Sequence, residues 1–275
     1  MDKTVETEKR VVVEGRWDGN ILPGRVEELN RELIVRPGAH ITGGVFGRLV
    51  QVEGPVEIER AVYASEELEV IAKGDTRFHS SIGSRNVVYV RGADGRVLIA
   101  GDVCGKNIRL ENCAIRGSVH GTEVRLERCL VLGAVHGTDF VELRDTVALM
   151  VYGQRLVFNE RCALVLPYAQ ATVSCEILSP VSLLGFPADD NVLTSDDIVF
   201  DNNGVSHLSA GRRLTDLART REHLANLKGF MSRVALQEML GSSSSQIPYA
   251  RKQLPHEVSQ WIDSGVIQGE AVASE

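Results

Sequence analysis

Apolar side chains recur in close pairs along the middle of the chain. Between residues 108 and 119 they are Ile108, Leu110, Cys113, Ile115 and Val119; next come Val124, Leu126, Cys129, Val131 and Val135. The steps within each stretch are two, three, two and four residues, and five more lead onward, giving a period of sixteen. A spacing of two puts both side chains on one face of a short strand. The longer steps turn the chain through corners, so each turn has three short faces and a roughly triangular section. A short fixed period with β-branched residues in register is the sequence form of a β-solenoid.

Glycines keep the same beat. Gly105, Gly121, Gly137 and Gly153 close the segments GDVCG, GSVHG, GAVHG and LMVYG around Val103, Val119, Val135 and Val151. The pattern extends towards the N-terminus through Val50, Val52, Val56, Ile58 and Val62. Before that come Leu33, Val35, Ala39, Ile41 and Val45, where GGVFG echoes the later motifs. Residues 68–103 predict two looser coils with a loop at 91–95. An irregularity at Phe140–Val141 is absorbed before Val151, and Val173, Cys175, Ile177, Val181 and Leu183 predict the last coil. Eight or nine coils spaced by about 4.8 Å would make a rod about 40 Å long. The pattern divides the chain into an N-terminal segment (1–32), a β-helix domain (33–187), and a connector with a helical tail (188–275).

In that tail, residues 188–206 read as a polar connector with a short strand at Ile198–Phe200. An amphipathic helix follows over about 208–240. Its apolar face carries Leu217, Leu224, Leu227, Met231 and Val234 at spacings that suit a helix. Gly241 ends it, and a second short helix starts at Pro255 with Val258, Trp261 and Ile262 on one side. The fold class predicted is an all-β core, a single-stranded triangular parallel β-helix, with an α-helical C-terminal appendage. The helix either packs on the rod, shielding its last coil, or binds a partner protein.

Composition narrows the function classes. The 43% hydrophobic content is enough for a continuous core, and only 5% aromatics point to an interior of Val, Ile and Leu. A net charge of −7 and a pI near 5.6 argue against nucleic acid as a partner. No apolar run reaches the ~20 residues needed to span a bilayer, and the charged start lacks the apolar stretch of a signal peptide. Five cysteines, an odd number, do not suggest a secreted disulfide framework. The expected location is the cytoplasm.

Candidate chemistry is sparse. Cys104, His120, His136 and Tyr152 occupy the variable position of the repeated motif and form one column. A thiolate with two imidazoles is a zinc donor set, yet ligands strung along a flat face do not converge on one ion. No metal site, cofactor or catalytic residue is assigned. Cys113, Cys129 and the shifted Cys162 fall at core positions, where a thiol acts as a small hydrophobe.

The Gly-x-Val-x-Gly coils with alternating aliphatic pairs resemble the bactofilins, polymer-forming cytoskeletal proteins, over approximately residues 33–183. The resemblance implies a right-handed triangular β-helix that polymerises end to end without nucleotide. An uncovered terminal coil presents unpaired backbone groups to a second copy, and Val35, Ile41, Val181 and Leu183 are the candidate self-association residues. The tail departs from the family pattern, because nearly ninety residues follow the core. The expected function is a filament-forming or scaffolding protein, not an enzyme. Two alternatives stand beside it: a trimeric β-helix enzyme of the acyltransferase or carbonic anhydrase type, and a non-polymerising scaffold that binds a partner through its C-terminal helices.

Overall fold

The computed structural model describes residues 5–7, 10–21, 31–164, 168–183, 192–200 and 206–209. These residues wind into an all-β parallel solenoid with three ladders of strands. The first ladder begins with Arg10–Val13 against Glu32–Val35 and ends with residues 155–158 against 174–177. The second runs from Arg16–Trp17 against His40–Ile41 to Ala163–Leu164 against 182–183. The third runs from Ile21, bridged to Val45, to Val151–Gly153 against 169–171.

Period-two alternation produces the core directly. On the first ladder Val50, Leu68, Val88, Ile108, Val124, Val141 and Leu156 stack in register. Ile58, Phe78, Ile99, Ile115, Val131 and Ala148 do so on the second, and Val62, Ile82, Val103, Val119, Val135 and Val151 on the third. All are at most 2% exposed and belong to one cluster. Fully burying one such side chain contributes ~1.5–3 kcal/mol, so every added rung strengthens the rod. Phe78 and Phe158 are enclosed too, so the interior admits rings that the composition alone argues against.

Each corner has its own solution. Between the first and second ladders Asn112, Arg128, Asp145 and Glu160 adopt left-handed backbone, with φ of 57°, 52°, 47° and 54°. The residue entering the core just after this corner carries a small donor. Cys113 Sγ donates to the Glu111 carbonyl, Cys129 Sγ to that of Glu127, and Cys162 Sγ to that of Asn159, at 3.1 to 3.2 Å. The thiols thus find acceptors at the corner; the Glu127 and Asn159 carbonyls also accept the Asn112 and Asp145 amides, at 3.0 and 3.4 Å, so sulfur is a second donor there. Between the second and third ladders, Gly117 and Gly133 leave no room for a side chain. A Cβ on Gly133 would sit 2.4 Å from the Gly117 carbonyl oxygen.

Within the rod, one boundary and one core position differ from the sequence reading. The parallel ladder already includes Arg10–Val13 and Arg16–Trp17, so the rod begins inside the segment set apart as 1–32. Val173, grouped with the last coil, is 62% exposed. The strand at Ile198–Phe200 is present. Leu208 and Ser209, expected to open the helix, instead end a strand over Ser206–Ser209, and the rest of the helical tail lies outside the described residues.

Candidate functional site at the rod tips and along an uncharged column

At the N-terminal tip the strand Val5–Thr7 turns back and pairs antiparallel with Arg10–Val13, covering the outer edge of the first ladder. Arg16–Trp17, the first strand of the second ladder, pairs only on its inner side among the described residues. The Arg16 guanidinium holds Asp18 at 3.1 Å beside this edge.

The C-terminal tip is capped in a complementary way. Ser206–Ser209 runs antiparallel to residues 168–171 and closes the third ladder, and Val192–Leu193 runs antiparallel to 181–182 and closes the second. Residues 174–177 of the first ladder have, among the described residues, no strand on their outer side. Their inward side chains register the loss of a covering rung: Cys175 and Ile177 are only partly buried, whereas Leu156 and Phe158 beneath them are 1% and 0% exposed. Val173 and Leu178 flank this edge, each 62% exposed. Burial first, then the charge of Glu176, pushes the Cys175 thiol up to about 12, so it stays protonated. The open edge is therefore flanked by apolar side chains, carries Glu176 on its outward side, and is hydrogen-bond competent and chemically quiet.

Of the four residues expected at the tips, two lie inside the rod and two on the last parallel strand of the second ladder. Val35 and Ile41 lie one rung inside the N-terminal tip, fully buried and paired on both sides. Val181 is fully buried on a strand whose outer edge is taken by Val192–Leu193. Leu183 stands in register with Leu164. The expected helix face, Leu217, Leu224, Leu227, Met231 and Val234, lies outside the described residues.

One feature of the second ladder escaped the sequence reading. Ala114, Leu130, Val147 and Ala163 stack on its outward side, yet none is more than 5% exposed. Their neighbours Ile115, Val131, Ala148 and Leu164 fill the core. Unbroken apolar runs such as Cys113-Ala114-Ile115 are the signature of strands buried on both faces, a signal that was open to reading.

The outward column of the third ladder is continuous: Phe46, Tyr63, Gly83, Cys104, His120, His136, Tyr152 and Gln170 follow in register. No Asp, Glu, Lys or Arg interrupts it. The His120 and His136 rings meet edge to face with centroids 6.2 Å apart. Burial and then the Asp102 carboxylate raise the Cys104 thiol above its ordinary value, which works against the thiolate that zinc requires. Among the described residues no three His, Cys, Asp or Glu side chains gather to hold a metal ion. No helix among them is long and apolar enough to cross a membrane.

No protein-family model matches the chain, and neither a curated protein nor a solved structure matches it.

Proposed function

We propose that this protein is a structural scaffold, of the kind the bactofilin resemblance implies, whose rod joins a second copy through its C-terminal tip. The observation that carries the reading is the edge at residues 174–177, flanked by exposed Val173 and Leu178. An edge strand offering backbone N–H and C=O groups beside apolar side chains is a template for another strand. Two such edges meet antiparallel about a two-fold axis, an isologous contact.

Simple head-to-tail stacking is the less favoured geometry. It would place the open first-ladder edge of one copy against residues 10–13 of the next, where Val5–Thr7 already pairs. Tip-to-tip contact avoids this cap. Where Arg16–Trp17 supplies a second contact at the other tip, pairs extend into a nonpolar filament in the cytoplasm. Size-exclusion chromatography with light scattering, beside negative-stain imaging of the full chain, tests the reading. Assemblies should disperse in the Val173→Lys/Leu178→Lys double variant and persist in the wild type.

A further inference from the structure

We infer a second functional surface beside the C-terminal tip: a groove on the third-ladder side that binds a neutral oligosaccharide. It is lined by His136, Thr138, Tyr152, Gln154, Gln170 and Thr172 around Gly153 and has a volume of about 400 Å³. That volume is in the range of small-ligand sites, in a groove that is open along one side rather than enclosed.

Unequal corners build the groove. Between the third and first ladders, residues 138 and 139 form one corner, residue 154 alone the next, and residues 172 and 173 the one after. The one-residue corner is recessed between two longer ones, so Gly153 and Gln154 form the floor and Thr138 and Thr172 the walls. Thr138, Gln154 and Thr172 are exposed, which leaves the groove open to a ligand.

The chemistry of the lining selects the ligand class. Amide and hydroxyl groups both donate and accept hydrogen bonds, as sugar hydroxyls do. The Thr138 hydroxyl donates to the Gly121 carbonyl at 3.2 Å and the Tyr152 hydroxyl to Met150 Sδ at 2.9 Å, so these two meet a sugar as acceptors. The imidazole and phenol rings add apolar faces with polar tips. Binding an anion calls for Arg or Lys forks, and binding a hard cation calls for carboxylates. The lining contains neither, although charged residues make up 24% of the chain. Asp139 at the adjacent corner and Arg155 beside Gln154 are exposed and outside the lining, with the Arg155 guanidinium turned over the Phe140 ring at 5.6 Å. The uncharged column from Phe46 to Gln170 continues the same character along the rod, giving an extended ligand a track beyond the groove.

A glycan panel presented to the full-length protein tests the inference, with neutral hexose, pentose and N-acetylhexosamine oligomers beside uronic, sulfated and sialylated ones. The expected result is saturable binding confined to neutral oligomers. It should weaken at least ten-fold in Gln154→Ala and His136→Ala, two exposed changes away from the tip that leave the rod's circular dichroism and oligomeric state unaltered. Absence of neutral-glycan binding across the panel overturns the inference. So does equal binding of the charged glycans, or binding indifferent to both substitutions.

Discussion

The Cys129 amide donates to the Thr146 hydroxyl oxygen at 3.2 Å, and that hydroxyl donates to the Arg144 carbonyl at 2.8 Å. Thr146 thereby fills, with an oxygen, the corner position that Cys113, Cys129 and Cys162 fill with sulfur. Removing it strands a buried N–H, which costs about 1–3 kcal/mol. Thr146→Val should lower the unfolding free energy by that amount, read as a lower urea midpoint, while Thr146→Ser, which keeps the bond, should stay much closer to wild type. Equal losses in the two variants would show that the methyl group, not the bond, matters.

Gly133→Ala should also destabilise the rod. Its new Cβ would lie 2.4 Å from the Gly117 carbonyl oxygen, which also accepts the Gly133 amide at 3.0 Å. Neither backbone can retreat without opening the ladder. Overpacking of this sort costs ~1–3 kcal/mol, readable as a lowered thermal midpoint.

The thiols should label in two classes. Cys104 is exposed and reacts in the folded protein, slowly at neutral pH because its pKa is raised and faster as alkaline pH forms the thiolate. Cys113, Cys129 and Cys162 are fully buried, and desolvation pushes Cys113 up and Cys162 to about 12. They should react only after denaturation, with partly buried Cys175 slow in between. Mass spectrometry after timed alkylation checks the order.

Acid should weaken the second ladder's surface pairing. Glu57 Oε1 lies 2.7 Å from His79 Nε2 across neighbouring rungs. This hydrogen bond, opposed by burial and helped by the charges of His79, His40 and Arg77, holds the Glu57 carboxyl below its ordinary 4.5. A depressed folded value means the contribution is complete above pH 4.5 and is lost as pH falls through that lower value. Both groups are nearly half exposed, so the effect should stay within about 1 kcal/mol. Glu57→Gln should be less stable than wild type at neutral pH and should approach it below that window in pH-dependent urea unfolding.

The interior was legible because its rule is periodic: a side-chain step of two, broken at corners, reveals Val103, Val119, Val135 and Val151 without any structure. The first rung was harder. Arg10 pairs with Glu32, twenty-two positions on, so Val11 and Val13 do not fall on the sixteen-residue beat. The caps were illegible for a different reason. Alternation reports which face a strand buries, not the direction of its partner, so nothing in Ser206–Ser209 announces antiparallel pairing to 168–171. The groove depends on a corner shortened to residue 154, a register detail that a reading of apolar positions passes over.

Light scattering on the full chain from low to high micromolar concentration tests the central claim most directly. The account predicts a mass above that of the 30.1 kDa chain, with the Val173→Lys/Leu178→Lys variant held at the single-chain mass. A wild type that remains one chain throughout, or an assembly that the two lysines leave intact, would contradict it.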